Sequence, residues 1–64
     1  MRVNGQETTL QSATSLKDYL LREGYDLKSI AVEKNGRIIA KSAYETEPLS
    51  EGDRIEIVRL VGGG

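Results

Sequence analysis

A chain of 64 residues makes one small domain, which buries only roughly 60% of its unfolded surface and has no room for a deep substrate cavity; an enzyme is not the expectation. Cysteine and histidine are both absent, which excludes disulfide staples, thiol nucleophiles, the usual Cys/His zinc sites and the commonest general base. Nine Lys and Arg against ten Asp and Glu give a formal net charge of -1, with no Phe or Trp, so the basic patch and aromatic platform of a nucleic-acid binder are both missing.

No apolar run nears the roughly 18 residues of a membrane span. The start, Met1-Arg2-Val3-Asn4-Gly5, offers neither an apolar signal stretch nor a glycine at position 2 for myristoylation. The expectation is a cytoplasmic protein with neither membrane nor nucleic acid among its partners.

The first predicted element is a hairpin. Asn4-Gly5 separates Met1 to Val3 from the β-favouring run Gln6 to Leu10, and Asn-Gly supplies the positive φ values of a type I′ turn. A helix follows from Thr14 or Ser15, with Asp18 three residues after Ser15 as a variant of the capping box. Leu16, Tyr19 and Leu20 form one apolar stripe, and Gly24 stops the helix. A second hairpin runs from Ile30 to Ala40 and turns at Asn35-Gly36. Tyr44 to Ser50, interrupted by Pro48, reads as a loop with one helical turn, and Glu51-Gly52-Asp53 as a turn. The last strand, Arg54 to Leu60, places Ile55 and Ile57 on one face and Glu56, Val58 and Leu60 on the other.

This order predicts an α+β fold with a mixed sheet of four to five strands packed on one helix. Its predicted core is Val3, Leu10, Leu16, Leu20, Leu27, Ile30, Val32, one of Ile38 or Ile39, Leu49, Ile55 and Ile57. Tyr19 and Tyr44 are expected at the edge of that core, and Tyr25 as a local contact at the helix stop.

Beyond Val61 stand three glycines, Gly62-Gly63-Gly64. Without a Cβ they let a narrow pocket close around bare backbone, which suits a tail that enters a partner's site; as a flexible end they also suit a plain linker. Residues 1–61 are expected to be the folded domain and 62–64 a flexible tail. Fully extended, Val61 to Gly64 span roughly 13 to 14 Å. Val58 and Leu60 point away from the predicted core and, with Val61, are the candidate partner-docking residues. Five acidic residues and one basic residue lie between Glu45 and Glu56, read first as a solvated surface and second as steering charge. No carboxylate pair stands out as general acid and base.

Val3-Asn4-Gly5-Gln6, Ala31-Val32-Glu33-Lys34-Asn35-Gly36, the run Leu49 to Val58, and Val61-Gly62-Gly63-Gly64 together resemble the ubiquitin-like β-grasp proteins. Within that superfamily the chain is most similar to the ThiS-like sulfur carriers of thiamin (thiazole) biosynthesis, over nearly its whole length. The pattern of that family requires the last two glycines, Gly63 and Gly64; Gly62 is additional. The resemblance implies a ubiquitin-like β-grasp carrier, not an enzyme, with no cofactor of its own. An adenylating partner similar to ubiquitin-activating enzymes would use Mg-ATP to activate the Gly64 carboxylate. A persulfide derived from a cysteine desulfurase would then leave a thiocarboxylate there, and thiazole synthase would receive the sulfur. A sulfur carrier of the molybdopterin-synthase type, a ubiquitin-like protein modifier and a non-covalent β-grasp interaction domain remain alternatives, because fold alone does not settle function.

Overall fold

The computed structural model describes residues 1–10 and 14–60. Both Asn-Gly pairs turn as their chemistry dictates: φ is 51 and 82 at Asn4 and Gly5, and 54 and 86 at Asn35 and Gly36. Positive φ at both central positions is type I′ geometry, whose twist matches that of paired strands. The first turn joins β1 (Arg2–Val3) to β2 (Gln6–Glu7), and the second joins β3 (Ile30–Lys34) to β4 (Arg37–Ile39). β2 is shorter than the run Gln6 to Leu10 promised. Thr8 still donates its N–H to the Met1 carbonyl at 2.7 Å, one step beyond the Arg2–Glu7 pair at which the strand pairing ends.

The helix α1 spans Leu16–Arg22, and each of its first three N–H groups has an acceptor. Leu16 donates to the Glu47 carbonyl at 2.8 Å and Lys17 to the Tyr44 carbonyl at 2.9 Å, while Asp18 donates to the Ser15 hydroxyl at 3.2 Å. These are donors that no residue within the helix satisfies, so the helix start is stitched to the loop after β4. At the other end Gly24, with φ 84, donates to the Leu21 carbonyl at 3.1 Å, and Tyr25 donates to the Leu20 carbonyl at 3.0 Å. Those two bonds are the Schellman pattern.

The last of the described strands, β5 (Arg54–Arg59), is the middle strand of the sheet, whose order is β2-β1-β5-β3-β4. It runs parallel to β1, with Val3 opposite Ile55, and antiparallel to β3, with Val32 opposite Ile57. The predicted mixed sheet on one helix is thus five-stranded. Leu16, Leu20, Ile30, Val32 and Ile55 are fully buried between the helix and one sheet face, ringed by Met1, Val3, Ile39, Leu49 and Ile57.

Three differences from the sequence expectation have physical causes. Tyr19 and Tyr44 are 7% and 3% exposed, core members rather than edge residues; burial also raises both phenol pKa values. Leu10 and Leu27 only pack against the core from outside. Two 3-10 turns appear, at Leu27–Ser29 and Lys41–Ala43. The first is capped by Asp26, which accepts from the Lys28 N–H at 3.1 Å and the Ser29 hydroxyl at 2.9 Å. The second begins ahead of the loop in which a helical turn is expected, because the Lys41 ammonium anchors it to the Leu27 and Ile30 carbonyls at 2.9 and 3.0 Å.

Candidate functional site

β5 carries the core on one face and the candidate docking residues on the other. Ile55 and Ile57 are buried, whereas Val58 and Leu60 are 58% and 50% exposed, as alternation along a half-buried strand requires. Cross-strand register extends this open face: Ala31 lies opposite Val58, Glu33 lies opposite Glu56, and Ile38 lies opposite Glu33. Ile39 takes the core position of the pair left open by the sequence, and Ile38 is 77% exposed on the open side. The result is a mixed face in which apolar Val58, Ala31 and Ile38 flank two carboxylates.

The strand ends at a defined point. Leu60 donates its N–H to the Ser29 carbonyl at 2.8 Å, one step beyond the Ile30–Arg59 pair. The Arg59 guanidinium carbon stands 5.4 Å from the centre of the Tyr25 ring, within cation–π range. Between Gly24, Tyr25, Asp26, Ser29, Arg59 and Leu60 lies a cleft of about 280 Å³. The Asp26 carboxyl on its rim is held below its ordinary value, first by the Lys28 N–H and then by the Ser29 hydroxyl. Val61, Gly62, Gly63 and Gly64, the remaining candidate site residues, lie outside the described residues.

The acidic stretch before β5 divides. The Lys34 ammonium donates to Glu47 Oε2 at 2.9 Å and to the Pro48 carbonyl at 2.6 Å, and lies 3.7 Å from Asp53 Oδ2. Asp53 also accepts from the Asn35 side-chain amide at 3.0 Å and the Ser50 N–H at 2.8 Å. Burial pushes this carboxyl up, but the donors from Asn35 and Ser50 and the nearby Lys34 charge outweigh it and leave its pKa below the ordinary value of 3.8. Two of these acids, Glu47 and Asp53, are therefore internal ties rather than the solvated surface expected of the stretch; Glu45, Glu51 and Glu56 remain exposed. Sequence reasoning missed this cluster, although Asn35 beside a tight turn and Asp53 at the start of a strand are the kinds of residue that make such bonds. Among the described residues no three His, Cys, Asp or Glu side chains gather to hold a metal ion. Nor is any described helix long and apolar enough to cross a membrane.

The chain is similar to known proteins along its whole length. The ThiS family model matches residues 1–64. A sulfur carrier protein ThiS from Bacillus subtilis is 35% identical over 65 residues, covering 100% of this chain and 98% of that protein. A thiazole synthase from Paramagnetospirillum magneticum is 36% identical over 62 residues, covering 97% of this chain but 19% of that protein; the chain spans about a fifth of the length of such relatives. The crystal structure of a thiamine biosynthesis protein (ThiS) from Geobacter metallireducens superimposes with a TM-score of 0.82 at 24% identity, over 98% of this chain and 96% of that one, so the β-grasp arrangement is shared. With the family model spanning every residue and a relative matched over 98% of its own length, this chain belongs to the ThiS family.

Proposed function

We propose that the chain is a protein sulfur carrier of thiamine biosynthesis, a co-substrate of partner enzymes, whose Gly64 carboxylate is converted to a thiocarboxylate. The observation that carries this reading is the end of β5: a strand fixed in the middle of the sheet presents Val58 and Leu60 outward and leads directly into Val61-Gly62-Gly63-Gly64. A rigid docking strand followed by a thin tail fits a carrier that seats on a partner and threads its terminus inside.

A carboxylate is a poor electrophile. The activating partner, of the ubiquitin-activating type, joins the Gly64 carboxylate to the α-phosphorus of Mg-ATP and releases pyrophosphate. A persulfide on the sulfur donor, supplied by a cysteine desulfurase, attacks the acyl carbon and expels AMP, giving an acyl disulfide. A thiol of the donor system then attacks the Sγ of the donor cysteine in that acyl disulfide. One disulfide forms, and the thiocarboxylate leaves with the electron pair of the broken S–S bond. Thiazole synthase is the receiving partner, supported by relatives of that name that carry a similar stretch within one polypeptide. The contribution of this chain is location: a tethered nucleophile in the receiving site acts at high effective concentration. Val58, Leu60 and Val61 dock; Gly62 and Gly63 pass the narrow entry.

The test is intact-mass analysis after incubation with the activating enzyme, Mg-ATP and a persulfide donor. The expected gain is the mass difference between one sulfur and one oxygen, located at Gly64 by fragmentation. Deleting Gly64 should abolish it. Conjugates linked to lysine in place of a thiocarboxylate would instead establish a protein modifier.

A further inference from the structure

We infer that Tyr25 and Arg59 are positioning residues that fix the point at which the tail leaves the domain. This rests on the carrier reading above. The end of a strand ordinarily frays, but here two contacts, Leu60 with Ser29 and Arg59 with Tyr25, hold it to the segment after α1. Leu60 donates to the Ser29 carbonyl at 2.8 Å, and Ser29 is itself locked into a 3-10 turn by Asp26, whose carboxylate accepts its hydroxyl at 2.9 Å. Tyr25 is set by its N–H bond to the Leu20 carbonyl at 3.0 Å, the Schellman bond that closes the helix. Arg59 lies on the same side of β5 as Ile55 and Ile57, yet at the strand end it passes beyond the core. There its guanidinium sits 5.4 Å from the Tyr25 ring centre. The ring thus couples the last residue of β5 to the end of α1.

The consequence for the carrier is geometric. With Leu60 held, four residues of sequence, Val61 to Gly64, separate the clamp from the terminal carboxylate. If residues 59 and 60 fray, the sequence beyond the last fixed residue grows from four residues to six, and for a tether the effective concentration of the terminus at a fixed point falls about twofold by the −3/2 power of length. Misalignment within the partner's site adds to that loss. Docking through Val58 on the open face is on the other side of the strand and does not depend on the clamp, whereas the contribution of Leu60 does.

The experiment compares Arg59→Gln, Tyr25→Leu and Tyr25→Phe with the unaltered chain, each at full length, in two measurements. The first is amide hydrogen exchange at Leu60, with Ile57 as the reference for global opening. Arg59→Gln and Tyr25→Leu should speed Leu60 exchange about two- to fivefold, the factor that an exposed cation–π contact represents, and leave Ile57 unchanged; Tyr25→Phe, which keeps the ring face, should behave as the unaltered chain. The second is pyrophosphate release by the activating enzyme with the carrier as varied substrate. The first two variants should lower kcat about twofold or more, with a smaller rise in KM through the loosened Leu60, and Tyr25→Phe should restore kcat. Unchanged exchange and kcat in all three overturn the inference, as does a rise in KM at constant kcat, which would make Arg59 a docking residue. Equal impairment by Phe and Leu would rule out the ring face as the device. If the unaltered chain supports no pyrophosphate release, the carrier reading fails, while Leu60 exchange still decides the clamp.

Discussion

The Asn4 side-chain carbonyl accepts the Ile57 backbone N–H at 2.7 Å across 53 residues of chain. Asn4 also donates its own N–H to the Ile55 carbonyl at 2.9 Å. One residue thus turns the first hairpin, through its φ of 51, and prolongs the parallel pairing of β1 with β5 past the end of β1.

The two roles separate by substitution. Asn4→Gly keeps the left-handed turn and loses only the side-chain bond, which leaves the Ile57 N–H without its acceptor; a loss of about 1 kcal/mol is expected. Asn4→Ala loses both and should cost about 1 kcal/mol more, since alanine is strained at positive φ. Urea unfolding of the two variants measures the difference, and equal stabilities would show that the turn conformation carries no weight.

Acid sensitivity is expected from Asp53. Its folded-state carboxyl lies below the ordinary 3.8, so the unfolded chain binds the proton first as pH falls. The stabilisation is complete above about pH 4 and is lost as pH drops through the folded-state value. Asp53→Asn should lower stability at neutral pH by about 1 to 3 kcal/mol, because Lys34 loses an ionic neighbour and Ser50 an acceptor. It should also flatten the fall of stability with acid. Thermal melts from pH 7 to pH 2.5 test this, and a variant whose curve parallels the native one would assign the acid response elsewhere.

Docking and folding should be separable on β5. Val58→Glu and Leu60→Glu change exposed positions and should shift unfolding free energy by no more than about 0.5 kcal/mol. Binding to the activating enzyme, measured by titration calorimetry, should weaken clearly in both. Loss of stability in step with binding would transfer these residues from the interface to the fold.

Ile55 is 0% exposed at the centre of the sheet. Ile55→Ala should cost about 2 to 5 kcal/mol, against a total of roughly 3 to 10 kcal/mol for a chain of this length. Circular dichroism should reveal a large unfolded fraction well below the native melting temperature. A native-like melt would mean that the core closes over the cavity.

What is legible in the sequence is what local chemistry decides. Asn-Gly specifies both turns, Ser15 and Gly24 bracket the helix, and alternation places Val58 and Leu60 outside. The choice between Ile38 and Ile39 is legible too: a two-residue turn pairs Lys34 with Arg37, which sets Val32 against Ile39. Pairings between distant segments are not legible. Nothing near Arg54 announces that its strand lies between β1 and β3, that Lys34 reaches Glu47, or that Arg59 meets Tyr25. Burial of Tyr44 likewise depends on the loop folding back to bond the helix start.

Because β5 follows the other described strands in the chain and lies between β1 and β3, a nascent chain that ends before Arg54 holds two hairpins with no strand to join them. Neither hairpin is stable alone in water. Folding therefore awaits synthesis of the strand that leads to the tail, and chains aborted earlier present no ordered β5 face that could occupy a partner unproductively.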